Sequence, residues 1–219
     1  MSNVLYEPLP FVWEKNGIEY VVNTSFRIGV QLSLLFEDDE VTERERQYYM
    51  IVLLFGNDDG SIREFPQNPD DFSECLEWFM SGWHHDNPSP QKEHNEKVMD
   101  YFVDQGRIYA DFRHVYGVNL NEADMHWWEF QWMLWNMPDG QSSFMNVIRI
   151  RTQKPRRKSS KEELDAISRG KSIYGLGKSK PQEYTKEQEK AIDDYDRMMA
   201  EIKAKKIDEA KIIEEFRKR

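Results

Sequence analysis

Apolar residues along this chain recur mostly at three- and four-residue spacing, and strand formers cluster only near the N-terminus. Residues 1–10 read as an irregular arm. Phe11-Val12-Trp13-Glu14 and Ile18-Glu19-Tyr20-Val21-Val22 flank Lys15-Asn16-Gly17, which predicts a β-hairpin. A lone two-stranded ribbon is marginal in water, so this one is expected to rest on helices. Asn23 or Thr24 is placed to cap a first helix, with Phe26, Val30 and Leu34 inward and Ile28, Leu32 and Leu35 beside them. After the acidic turn Glu37-Asp38-Asp39-Glu40, Thr42-x-x-Glu45 forms a capping box for a helix ending near Phe55, before the turn-rich Gly56-Asn57-Asp58-Asp59-Gly60. Asn68-Pro69-Asp70-Asp71 reads as N-cap, first helical residue and acidic first turn, followed by Phe72, Cys75, Leu76 and Phe79 at helical spacing, with Trp78 and Trp83 adjoining. Residues 93–118 predict a long helix whose apolar members are Val98, Tyr101, Phe102, Ile108, Phe112 and Tyr116. Gly106 inside it suggests a close helix crossing, and Gly117 a C-cap.

Residues 121–152 are the organising stretch, with four of the seven tryptophans. With Asn121 as N-cap, Trp128, Trp132 and Trp135 make one stripe and Trp127, Phe130 and Leu134 a second. His126, Glu129 and Asn136 are left as a polar strip. A helix apolar over most of its girth belongs in a core. Pro138-Asp139-Gly140 breaks it, and a second element follows with Phe144, Val147 and Ile148 inward and Arg149 and Arg151 at its end.

Beyond this the pattern thins. Ser160-x-x-Glu163 caps a short helix reaching Arg169, and Thr185-x-x-Gln188 starts a final helix toward Arg219. Ile192, Tyr195, Met199 and Ile202 form a one-sided seam, which meets Lys206 and Glu209 before Ile213 and Phe216 resume it. Such a stripe suits docking on another chain; the plainer reading is a solvated terminal helix.

Charge sharpens the division. Residues 1–150 carry 10 Lys+Arg against 26 Asp+Glu, net −16, whereas residues 151–219 carry 20 against 14, net +6. The expected organisation is an acidic aromatic-rich helical domain over 1–152, a basic linker with a short helix over 153–183, and an amphipathic helix over 184–219. Mean hydropathy is −0.82, and no apolar run approaches the roughly 20 residues that span a bilayer. No membrane association and no secretory signal are therefore expected. The single Cys75 reads as a core residue.

Candidate chemistry is sparse. His84, His85, Asp86 and His94 lack the spacing of zinc ligands, and residues 37–40 lack that of a calcium loop. The Gly175-Leu176-Gly177-Lys178-Ser179-Lys180 run lacks phosphate-loop spacing. His126 and Glu129 could form a general-base pair, but read more simply as a helix surface pair. No nucleophile is paired with a base, so the chain is expected to be non-enzymatic and to need no cofactor. The bunched aromatics could stack bases, yet the net −16 around them would repel phosphate, which makes nucleic acid an improbable partner.

His126-Trp127-Trp128-Glu129-Phe130-Gln131-Trp132-Met133-Leu134-Trp135-Asn136-Met137-Pro138, followed by Phe144-Met145-Asn146-Val147-Ile148-Arg149-Ile150-Arg151, resembles the signature of the bacteriophage gene-product-fifteen family. Two other segments fit it in the expected order, Asn23-Thr24-Ser25-Phe26-Arg27-Ile28-Gly29-Val30-Gln31-Leu32 and Ile108-Tyr109-Ala110-Asp111-Phe112-Arg113-His114-Val115-Tyr116-Gly117-Val118-Asn119-Leu120. The resemblance covers roughly residues 11–176. It implies a tail-assembly protein of siphophage and prophage clusters: a chaperone-like factor that coats the tape-measure protein, in the host bacterial cytoplasm, while the tube polymerises. Other tail proteins, and a second copy of the chain, are further candidate partners. The alternatives are a tail component retained in the virion (tube, baseplate or completion protein) and a nucleic-acid adaptor. Expected partner-binding residues are Trp127, Trp132 and Trp135 on the tryptophan helix, and Ile192, Tyr195, Met199, Ile202, Ile213 and Phe216 on the tail. The basic linker contributes Arg151, Lys154, Arg156, Arg157 and Lys158. The expected fold is mainly α, with a small N-terminal hairpin and a flexible C-terminal helical tail.

Overall fold

The computed structural model describes residues 4–84, 97–138, 140–156 and 160–176. The fold is mainly α, preceded by one antiparallel hairpin. Strands β1 (Val12–Lys15) and β2 (Ile18–Val21) pair Trp13 with Tyr20, and Asn16 and Gly17 make the turn with φ of 55° and 78°. Positive φ at both central residues matches the right-handed twist of the flanking strands. Trp13 is buried, and Lys15 forms ion pairs with Asp71 and Glu74 of the third helix, so the ribbon lies on the helices as expected.

Helices α1 (Phe26–Glu37), α2 (Glu43–Phe55) and α3 (Pro69–Ser81) follow, and a 3-10 turn (Gly82–His84) ends α3. Thr42 and Glu45 close the predicted capping box, and Asn68 caps α3 with Pro69 at its first position. The cap of α1 is Ser25, not Asn23 or Thr24. Asn23 instead donates its amide to the carbonyls of Leu53 and Gly56 at the end of α2. The buried face of α1 is Phe26, Gly29 and Leu32, a rotation away from the expected Phe26, Val30 and Leu34. The rotation follows from Trp127, whose indole lies where a Cβ on Gly29 would stand, 2.1 Å from it.

Helix α4 (Tyr101–Val115) starts later than residue 93. Residues 97–100 are not helical, and Asp100 caps the helix by accepting from the amides of Phe102 at 2.7 Å and Val103 at 2.9 Å. Among the described residues nothing crosses close to Gly106, where an added Cβ would meet nothing within 4 Å. Gly117 does terminate the helix, with φ of 71°, and the Val118 amide returns to the Phe112 carbonyl. Helix α5 (Trp127–Trp135) begins six residues after Asn121, because His126 is its cap. The preceding turn is held by Arg27, which donates to the carbonyls of Leu120, Asn121 and Ala123.

Helix α6 (Ser143–Thr152) is capped by Ser142 and by a residue of α4. The Asp111 carboxylate accepts from the Ser142 hydroxyl at 2.7 Å and from the amides of Ser143 and Phe144 at 3.1 and 2.8 Å. Helix α7 (Lys161–Tyr174) keeps its Ser160/Glu163 capping box but runs past Arg169 to Tyr174. It packs on α6, with Gly170 against Ile150. Phe130 of α5 sits at the centre of the core. Its ring stacks on Phe26 and Phe112 at centroid distances of 5.0 Å each and on Trp127 at 5.8 Å.

Candidate partner-binding site

The indoles of α5 divide by role. Trp128 donates its Nε1–H to the Phe79 carbonyl at 2.9 Å, Trp127 to Met80 at 3.4 Å and Trp132 to Trp83 at 2.6 Å. The last carbonyls of a helix have no partner within it, and here the tryptophans of α5 satisfy carbonyls at the end of α3 and in the 3-10 turn that follows it. Gly29 and Gly82 make room for two of the rings. A Cβ on Gly82 would stand 2.3 Å from the Trp128 indole. Trp135 donates at 3.0 Å to the Oε1 of buried Gln131, whose amide donates to the Tyr101 hydroxyl. Burial pushes the Tyr101 phenol up from its ordinary range.

Trp127 is therefore a core residue, 2% exposed, and its assignment to a partner surface is corrected. Trp132 and Trp135 are half-buried. Arg151, expected in the basic linker, is also corrected. It lies within α6, is buried, and forms a two-pronged pair with the fully buried Asp104 of α4. Lys154 and Arg156 are exposed after α6, whereas Arg157 and Lys158 lie outside the described residues. So do Ile192, Tyr195, Met199, Ile202, Ile213 and Phe216, as well as His85, Asp86 and His94.

Trp132 lines a groove of about 600 Å³ between the N-terminal arm and the starts of α1 and α5. Val4, Leu9 and Phe11 supply its apolar wall, and Glu7, Asp124 and Glu129 its acidic groups. Ser25 and His126, the caps of α1 and α5, stand side by side in its lining and form an antiparallel bridge. Two backbone bonds fasten the pair, Phe26 N–H to the Met125 carbonyl at 2.9 Å and Trp127 N–H to the Thr24 carbonyl at 2.7 Å. Two positive helix ends thus converge where Asp124 and Glu129 sit, an arrangement that favours those charges.

His126 is not a member of a helical polar strip with Glu129. Its Nδ1 accepts from the Trp128 amide at 3.0 Å, which leaves the proton on Nε2, 3.0 Å from the Pro10 carbonyl. Burial lowers its pKa from the ordinary value. As a neutral cap with both nitrogens occupied, it ties the arm to α5 and has no free position for acid–base work.

Two apolar surfaces were not singled out from sequence. Leu5, Tyr6 and Phe11 of the arm are exposed. Phe102 and Val103 of α4 are exposed too, on the side away from its buried residues Asp104, Ile108, Asp111 and Phe112. Among the described residues no cluster of His, Cys, Asp and Glu is placed to hold a metal ion, and no helix is long and apolar enough to cross a membrane.

Comparison with known proteins adds the family. Neither the curated proteins nor the solved structures contain a match. The family described as Bacteriophage Gp15 protein matches residues 5–176, from the arm to the last residue described after α7. That span takes in the hairpin, the groove, the tryptophan helix and the Asp104–Arg151 pair. The chain belongs to the bacteriophage Gp15 family and, with it, to the structural and assembly proteins of phage.

Proposed function

We propose that this chain is a non-enzymatic tail assembly factor that binds the phage tape-measure protein in a chaperone-like manner in the host cytoplasm. The observation that carries the reading is the groove beside Trp132. It offers an apolar wall from the arm, an aromatic floor and an acidic border. That combination suits a helical client with an apolar stripe and flanking cations, since helices dock in grooves through residues at three- and four-residue spacing. A coating factor must also release its client. A shallow groove of this size gives modest affinity per copy, and many copies along one client make the coat by multivalency. The local chemistry supports binding over catalysis: His126 is held in structural hydrogen bonds, and Cys75 is sealed in the core.

The test is co-expression with the tape-measure protein of the same gene cluster, using the parent chain and a Phe11→Ser/Glu129→Lys variant. Both positions are exposed, so the variant should fold. Soluble tape-measure protein that co-purifies with the parent and not with the variant, with the chain absent from mature particles, is the expected result. A chain retained stoichiometrically in particles, with no effect on tape-measure solubility, would sink the proposal and assign a structural role in the tail.

A further inference from the structure

Helix α4 carries an apolar stripe on its outer face. Phe102 is 62% exposed, Val103 43% and Tyr109 38%, and Gly106 and Ala110 lie exposed between them. At helical spacing these five residues adjoin one another, opposite the buried Asp104, Ile108, Asp111 and Phe112. The two small residues leave a shallow trough between the rings, the shape that accepts side chains of a crossing helix.

The path of the chain says what reaches this stripe. Helix α7 ends beside it, with the Tyr174 ring 5.8 Å from the guanidinium of Arg107, which stands one turn from Val103 and from Ala110 on α4. Residues 177–184 can span up to about 28 Å. Helix α4, at 15 residues, is about 22 Å long. The segment 184–219 therefore comes within reach of the whole stripe. It holds Ile192, Tyr195, Met199 and Ile202 at helical spacing, with Asp193, Asp194 and Asp196 among the first two. On α4 the cations Arg107 and Arg113 adjoin the stripe. Apolar seam and flanking charge thus match on both sides.

We infer that the C-terminal segment 184–219 docks in cis on the outer face of α4, with Ile192, Tyr195, Met199 and Ile202 covering Phe102, Val103, Gly106, Tyr109 and Ala110. This contact is independent of the tape-measure reading and stands or falls separately. It gives the chain a second, self-covered interaction surface, distinct from the groove beside Trp132.

The test uses the full chain and two variants, Gly106→Arg and Phe102→Glu, each on exposed positions of α4. Trypsin cleavage at Arg197 and Lys203 is followed by mass spectrometry. It is expected to run at least about tenfold slower in the parent than in a synthetic peptide of residues 184–219, since cleavage tracks the open population. Both variants should abolish that protection while leaving the melting temperature of the domain unchanged or higher. Cleavage of the parent as fast as the peptide overturns the inference, as does protection that survives both variants. Protection confined to a dimer in a dilution series followed by light scattering also overturns it, and gives the stripe to a second copy of the chain.

Discussion

Asp104 and Arg151 meet face to face between α4 and α6. Arg151 Nη1 lies 2.6 Å from Asp104 Oδ2 and Nη2 lies 3.0 Å from Oδ1. The same guanidinium donates to the carbonyls of Val98 and Tyr174, so one side chain joins α4, α6, the segment before α4 and the end of α7. Arg107 adds a third charge at 3.3 Å from Asp104. A fork geometry with four of the five guanidinium donors used helps a buried pair offset its desolvation.

Removing one partner strands the other in the interior. Arg151→Ala and Asp104→Ala are each expected to cost about 3–5 kcal/mol, and Arg151→Lys is expected to restore little because an ammonium cannot match the two-pronged contact. Urea unfolding followed by tryptophan fluorescence reads the difference. The double change Asp104→Leu/Arg151→Met should cost less than the sum of the single losses.

Two glycines inside helices make opposite predictions. Gly29→Ala drives a methyl group into the Trp127 indole and is expected to destabilise by about 1–3 kcal/mol or more. Gly106→Ala meets nothing within 4 Å among the described residues and removes a flexible residue from a helix interior, so it is expected to stabilise by about 0.5–1 kcal/mol. Thermal melts of the two variants should move in opposite directions.

The His126 cap makes stability depend on pH. The folded state holds the imidazole neutral and its pKa is lowered by burial, so the unfolded chain binds the proton first as pH falls. The contribution is complete above the ordinary histidine value near 6.5 and is lost as pH falls through the lower folded value. Protonation also removes the Nδ1 acceptor and sets a cation at a helix N-terminus. His126→Asn keeps a capping oxygen without titrating in this range. The slope of stability against pH between about 7 and 5 should flatten in that variant.

Cys75 is expected to be inert in the native state. It is fully buried and burial pushes its thiol up to about 12, so almost no thiolate forms at neutral pH. A thiol reagent at pH 8 should label it only after denaturation. Rapid labelling of the folded chain would contradict the packing of α3.

Features encoded within one turn of chain could be read from sequence. Asn16-Gly17, Thr42/Glu45, Asn68-Pro69, Gly117 and Ser160/Glu163 all stand where local chemistry places them. What could not be read depends on distant partners. Asn121 looks as good a cap as His126 until Thr24 and Met125 are seen to fix where α5 begins. Arg151 looks like the start of a basic run because Asp104 is 47 positions away. Gly29 and Gly82 carry no sign of the indoles that fill the space above them. The site was legible only as a helix rich in tryptophan. Which ring faces outward follows from α3 and the 3-10 turn after it, whose carbonyls draw three of the four indoles onto that end.

The bridge between Ser25 and His126 has a mechanical consequence. Because α1 and α5 start on shared hydrogen bonds, with the Trp127 indole seated on Gly29, they form a single stiff block and cannot hinge apart at that end. The opposite wall, residues 4–11, is tethered to that block by the bond from the His126 ring to the Pro10 carbonyl and to the ribbon by the bond from the Val22 N–H to the Phe11 carbonyl. The groove therefore has a fixed floor and a compliant side. Any widening to admit a bulkier guest is carried by the arm peeling back from the His126 ring, while the aromatic interior keeps its shape.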